Sequence, residues 1–121
     1  VSRKILVVDD QEDNRRILRD LLAVAGFDVV EAADGLEAVT RAQAEAPDLI
    51  LMDIQLPGID GYEATRRIKA LPALQAVPLI AVTSYALSGD EGRALEAGCD
   101  GYVTKPFSPR ALLAKVREYL R

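Results

Sequence analysis

Four places in this 121-residue chain set chemically capable side chains directly after a short strand-like run, apolar throughout in the first three. Ile5-Leu6-Val7-Val8 runs into Asp9 and Asp10, and Leu49-Ile50-Leu51-Met52 into Asp53. Leu79-Ile80-Ala81-Val82 runs into Thr83 and Ser84, and Asp100 to Thr104 into Lys105-Pro106-Phe107. If one fold gathers these ends, it gathers three carboxylates, a hydroxyl and an ammonium. Three carboxylates at one edge repel one another and need a positive partner, and oxygen-only donors favour Mg²⁺ over zinc or copper. Asp9, Asp10 and Asp53 together carry three negative formal charges, which Mg²⁺ and Lys105 balance. A phosphoryl group brought to Asp53 would find a metal, an ammonium and a hydroxyl for its oxygens, with Asp53 as the nucleophile.

The composition removes most other chemistry. There is no histidine, which excludes Ser/His/Asp and Cys/His nucleophile systems, His-ligated zinc and any role as a phosphohistidine carrier. The lone Cys99 has no internal disulfide partner and reads as a small apolar filler. A net charge of -4 without a basic cluster argues against direct nucleic-acid binding. The apolar runs fall far below the ~18 residues of a membrane span, and no secretory signal pattern is present. These features point to a cytoplasmic protein with no membrane contact. At 121 residues and 50% hydrophobic, residues 1–121 are expected to form a single domain with a real core.

The elements that must hold these side chains are legible in the periodicity. Asp48 to Asp53 has no polar alternation in its middle and reads as a strand buried on both faces. The loop after it, Ile54 to Gly61, contains Pro57 and cannot continue as strand or begin at once as helix. Asp53 could be a mere helix cap, but Asp60 with Glu63 makes a better capping box. Further strands are expected at 4–8, 28–32, 77–82 and 100–104. Helices are expected from about Asn14 to Ala25, from the Asp34/Glu37 capping box to Glu45, from Tyr62 to Leu71, from Leu87 to Ala97, and after the Ser108 cap with Pro109 at the first helical position. Arg66, Arg67 and Lys69 read as a solvated face.

Five strands alternating with five helices imply an open, doubly wound parallel α/β sheet with helices on both faces. In such a sheet the ligand site lies at the carboxyl ends of the strands, where the strand order reverses. Asp9, Asp10, Asp53, Thr83 and Lys105 all stand at those ends.

The ordered motifs Val8-Asp9-Asp10, Met52-Asp53-Ile54-Gln55-Leu56-Pro57-Gly58-Ile59-Asp60-Gly61, Thr83-Ser84 and Lys105-Pro106-Phe107 resemble those of the receiver domain of two-component response regulators, the CheY-like superfamily. The resemblance covers the whole chain. It implies the flavodoxin-like (βα)5 fold with strand order 2-1-3-4-5 in three α/β/α layers. It further implies that Asp53 accepts a phosphoryl group from a sensor histidine kinase or histidine phosphotransfer protein. Asp9, Asp10, Asp53 and the backbone carbonyl of Gln55 would hold Mg²⁺, while Thr83, Ser84 and Lys105 would contact the phosphoryl group. Thr83 and Tyr102 match the family's switch pair, acting on the face of the fourth helix, fifth strand and fifth helix. Gln55 and Tyr85 would flank the path of attacking water. Such a domain is a signalling phosphoacceptor that promotes its own phosphorylation and dephosphorylation rather than an enzyme acting on other substrates.

The resemblance leaves open which downstream protein or attached output domain listens, and whether phosphorylation drives a dimer. Residues 14–18 with Pro106 and Phe107 are expected to receive the histidine domain, with Arg15 and Ile17 as contacts. A haloacid dehalogenase-like aspartyl-phosphate hydrolase is the enzymatic alternative, but it needs a second Asp where this chain has Gln55. A flavodoxin-like nucleotide carrier needs a Ser, Thr and Gly-rich phosphate loop where the first loop here is acidic. A non-phosphorylated receiver-like scaffold would not need the intact acceptor, metal and switch residues.

Overall fold

The structure, a computed structural model, describes residues 3–83 and 90–120, without the side chains of residues 90 and 91. The strands β1 (Lys4–Val8), β2 (Asp28–Ala32), β3 (Leu49–Asp53), β4 (Leu79–Thr83) and β5 (Gly101–Thr104) form one parallel sheet in the order β2-β1-β3-β4-β5. They alternate with helices α1 (Glu12–Val24), α2 (Gly35–Glu45), α3 (Gly61–Lys69), α4 (Asp90–Ala97) and α5 (Pro109–Tyr119). The expected fold is therefore the observed one. Of the expected fourth helix, Leu87, Ser88 and Gly89 lie outside the described residues.

Burial follows position in the sheet. All five residues of β3 and of β4 are buried, whereas β2 at the edge is half-buried along most of its length. Strand alternation divides the core into two layers. Ile5, Val7, Leu49, Leu51, Ile80 and Val82 pack against Leu18 and Leu22 of α1 and Leu112 and Val116 of α5. Leu6, Val8, Ile50, Met52, Leu79 and Ala81 pack on the other side with alanines of α2, α3 and α4, and with Ile68. Full burial of each large aliphatic side chain contributes about 1.5–3 kcal/mol. The carboxyl ends of β1, β3 and β4 are thus fixed by packing before any polar contact is made.

Helix ends show where local chemistry acts. Gly26 has φ +95° after α1, the left-handed residue expected to stop that helix. The Asp34, Asp60 and Ser108 side chains accept from the amides of Glu37, Glu63 and Ala111 at 2.7, 2.9 and 3.0 Å. The two capping boxes are not closed as expected. Glu37 accepts from the amide of Ala33 rather than Asp34, and Glu63 pairs with Arg66 and Arg67 instead. Helix α1 starts earlier than expected, because Glu12 and Asp13 suit the positive end of a helix. Helix α3 ends at Lys69, and Pro72–Leu74 forms a separate 3-10 turn.

The basic face of α3 is only partly solvated. Lys69 Nζ donates to the carbonyls of Gln75 and Val77 at 3.2 and 2.6 Å and pairs with Asp100 at 2.9 Å, tying α3 to the entries of β4 and β5. Cys99 is buried beside Thr65, and burial pushes its thiol pKa up, as befits a filler. Among the described residues no helix is long and apolar enough to cross a membrane.

Candidate functional site

Asp53 is the last residue of β3 and Asp9 directly follows β1; they are 5% and 1% exposed. The Asp9 amide donates to Ala32 O at 3.1 Å, carrying the β1–β2 ladder one residue beyond the strand. Ile54 likewise donates to Val82 O at 3.1 Å. The backbone beneath each acid is therefore still sheet. Each acid then closes a tight turn of its own. Oδ1 of Asp9 accepts from the amide of Gln11, and Oδ1 of Asp53 from that of Gln55, both at 2.9 Å.

Lys105 comes in from the end of β5. Its amide donates to Thr83 O at 2.6 Å, and its ammonium stands 3.3 Å from Asp9 Oδ2 and 3.5 Å from Asp53 Oδ2. The Lys105–Pro106 peptide is cis. One oxygen each from Asp9, Asp10 and Asp53 lies within 4.8 Å of the others, with Asp10 exposed and the other two buried. Burial pushes the Asp53 pKa up, and Asp9 adds to that; the Gln55 amide and Lys105 pull it back only in part. Two buried acids thus share one ammonium. A set of three carboxylates with room at an exposed edge suits a hard divalent cation with oxygen ligands.

The loop after Asp53 is held by a close approach. Gly61, the first residue of α3, donates to Ile54 O at 3.0 Å, and a Cβ there would meet the Asp53 carbonyl oxygen and, at 2.6 Å, Ile54 Cα. Gly58 turns the loop with φ +75°. Gln55 is exposed at the mouth of the site.

Thr83 ends β4 and is buried, in register with Thr104. Tyr102 is half-buried and in register with Ala81, so strand alternation puts Thr83 and Tyr102 on the same side of the sheet, that of α2, α3 and α4. Asp53 and Lys105 alternate toward the other side. Ser84 and Tyr85 lie outside the described residues.

Beside the acids a cleft of about 540 Å³ runs between Asn14, Ile17 and Leu18 of α1 and the segment Lys105-Pro106-Phe107. Ile17 is 62% exposed in it. Arg15 differs from expectation: it turns away from the cleft, donating to the Asp9 carbonyl at 2.7 Å and to Glu31 at 3.3 Å. Sequence reasoning assigned Arg15 to the partner contact rather than to Asp9, and it did not single out Glu31 at all. The only available signal was a basic residue one turn past Gln11, a spacing common on any helix.

Comparison with known proteins agrees with the geometry. Residues 5–117 match the model of the response regulator receiver domain. The polar-differentiation response regulator DivK of Brucella ovis is 39% identical over 120 residues, covering 99% of this chain and 98% of DivK. The receiver domain of the sensor histidine kinase PA1611 from Pseudomonas aeruginosa, solved with a magnesium ion coordinated in its active-site cleft, is 38% identical with a TM-score of 0.92, over 99% of this chain and 98% of that one. The chemotaxis protein CheY4 of Vibrio cholerae is 29% identical with a TM-score of 0.95, over 99% and 100%. With the family model spanning the sheet and the acidic edge together, the chain belongs to the response regulator receiver domains of two-component signalling.

Proposed function

We propose that Asp53 is the phosphoacceptor of this receiver, taking its phosphoryl group from a phosphohistidine on a sensor kinase or phosphotransfer protein. The observation that carries this reading is the position of Asp53: buried at the end of the central strand, at ion-pair distance from Lys105 and clustered with Asp9 and Asp10. In the transfer, the phosphorus–nitrogen bond of the donor breaks as a carboxylate oxygen of Asp53 bonds to phosphorus. The freed imidazole is the leaving group. Lys105 is placed to meet the charge on the equatorial phosphoryl oxygens, and the Gln55 amide orients the attacking carboxylate.

Asp9, Asp10 and Asp53 fit Mg²⁺ as a donor set, with the Gln55 carbonyl as a fourth candidate. The metal would supply charge neutralisation at the phosphoryl oxygens. Magnesium in the related Pseudomonas aeruginosa receiver supports the choice of ion. Thr83, with Ser84 beside it in sequence, would complete the phosphoryl contacts. Tyr102 would answer Thr83 across the sheet face, with Gln55 and Tyr85 setting the phosphoryl lifetime.

The cleft between α1 and Pro106-Phe107 suits the donor's histidine-bearing helix, with Ile17 as an apolar anchor. Residues 1–121 act as one receiver unit in a cytoplasmic relay, promoting their own phosphorylation and dephosphorylation. The test is labelling with acetyl phosphate and Mg²⁺. One hydroxylamine-labile phosphoryl group is expected on the wild type and none on Asp53→Asn; undiminished labelling of the mutant excludes Asp53 as acceptor.

A further inference from the structure

Glu31 on β2 and Arg15 on α1 form a linked pair that ends on the main chain of Asp9. Arg15 Nη1 donates to the Asp9 carbonyl at 2.7 Å, and its Nε to Glu31 Oε1 at 3.3 Å. Arg19 takes the second Glu31 oxygen at 3.1 Å, and Arg41 of α2 donates to the Glu31 carbonyl at 3.2 Å. Glu31 is also in sheet register with Val7. It is therefore anchored from three directions. The Arg15 side chain is 16% exposed, deeper than a helix-surface arginine that merely meets solvent. A planar guanidinium can bridge a carboxylate and a carbonyl at once, which an ammonium on a flexible stem does poorly.

The Asp9 carbonyl belongs to the peptide unit that joins Asp9 to Asp10. Because that unit is planar, fixing its oxygen limits rotation on both sides of it and so sets the direction in which Asp10 leaves the backbone. Asp9 itself is already held by Ala32 and Gln11, whereas Asp10 is exposed and owes its direction to the main chain. We infer that the Glu31–Arg15 pair is a positioning clamp on the Asp9–Asp10 peptide that sets the divalent-cation affinity of the Asp9, Asp10 and Asp53 cluster. The inference rests on the reading of that cluster as a metal site.

Two effects of Arg15 oppose each other, and the sign of the outcome separates them. As a bare positive charge near a cation site, Arg15 would weaken binding, so its removal would tighten it. As a clamp, its removal would loosen the turn and weaken binding. The experiment is an MgCl₂ titration of the 121-residue chain followed by amide NMR at Asp9, Asp10 and Asp53, for wild type, Arg15→Met, Arg15→Lys and Glu31→Gln. Arg15→Met is expected to bind Mg²⁺ about tenfold more weakly, the scale of losses seen when outer-shell partners of metal ligands are removed. Arg15→Lys, which keeps the charge, is expected to weaken binding too, and Glu31→Gln to a lesser degree. Spectral dispersion reports folding in each variant; if Arg15→Met does not fold, Arg15→Lys and Glu31→Gln carry the test. Unchanged or tighter Mg²⁺ binding in the folded Arg15 variants, with a normal wild-type response, overturns the clamp alone. A wild type with no Mg²⁺-dependent shift at the three acids overturns the metal reading and the clamp with it.

Discussion

Asp9 and Asp53 are restrained by the same kind of turn: in each, Oδ1 accepts from the amide two residues on and Oδ2 faces Lys105. The turn uses one oxygen of each acid for local structure and leaves the other for ligands. It also brings two buried carboxylates to one ammonium, which cannot neutralise both. Burial first, and the neighbouring Asp9 charge after it, make Asp53 harder to ionise than an ordinary aspartate, and Lys105 with the Gln55 amide offsets this only in part.

Its consequence for stability has a definite sign. In the metal-free protein the folded-state pKa of Asp53 lies above the ordinary value of 3.8, so between those two values the folded state holds more protons than the unfolded one. Stability contributed by this group falls as pH rises through that window, and the full cost is present above it. Asp53→Asn removes the ionisation at little change in shape. Its thermal midpoint without Mg²⁺ is expected to exceed that of wild type at pH 7. The difference shrinks on acidification and disappears below about pH 3.8. A mutant less stable at pH 7 and unchanged in acid would contradict this account of the site.

Lys105 is predicted to matter for rate more than for acceptor identity. Lys105→Met removes the ammonium that, among the described residues, reaches the Asp9 and Asp53 carboxylates. Loss of one preorganised partner of a developing charge typically costs about 10²–10³-fold in rate. Acetyl phosphate labelling is therefore expected to slow by about 10²-fold, with the hydroxylamine-labile product still on Asp53. Mg²⁺ binding should hold or tighten, because a competing cation has gone. Labelling within twofold of wild type would remove Lys105 from the chemistry.

The strands were readable because burial on both faces writes itself as unbroken apolar runs, and a parallel α/β sheet then dictates which ends meet. Asp9, Asp53 and Lys105 converge for that reason. Long-range polar links were not readable. Lys69 and Asp100 meet only because α3 ends beside the entries of β4 and β5, and Arg15 meets Glu31 only because α1 crosses β2. No local pattern announces either pair, since a lone arginine or lysine on a helix is solvated far more often than bridged. The capping boxes failed in their second half for a related reason: Glu63 had two arginines within reach on its own helix.

Gly61 is predicted to be intolerant of a side chain. Its missing Cβ lets the start of α3 lie directly on the Asp53–Ile54 backbone. Since the obstacle is main chain of a buried strand end, it cannot swing aside as a flexible side chain would. Gly61→Ala is expected to cost about 1–3 kcal/mol in urea unfolding, the usual range for overpacking. The Asp53 and Gln55 amide resonances should shift as well. A loss below the error of the unfolding curve, with those resonances unmoved, would mean that the loop relaxes freely.

The remaining prediction is how phosphorylation reaches the far surface. Thr83 is buried at the end of β4, beside the position where β4 pairs with Asp53 through Val82. A phosphoryl group adds strong acceptor oxygens and about one further negative charge at neutral pH. If the Thr83 hydroxyl turns toward them, space opens on its side of the sheet, and Tyr102 on that same side of β5 is large enough to occupy it by turning inward. The surface formed by α4, β5 and α5 changes with it. A hydrogen bond to a charged group contributes about 1.5–3 kcal/mol, which shifts a two-state balance by roughly ten- to a hundredfold. Thr83→Ala should therefore keep the acceptor and lose the transmission. Amide NMR with the phosphoryl mimic beryllofluoride reads both at once. Resonances near Asp53 are expected to move in wild type and mutant alike, while those from Gly101 to Tyr119 move fully only in the wild type. A mutant that binds the mimic and reproduces the whole wild-type pattern on β5 and α5 would remove Thr83 from the signal path.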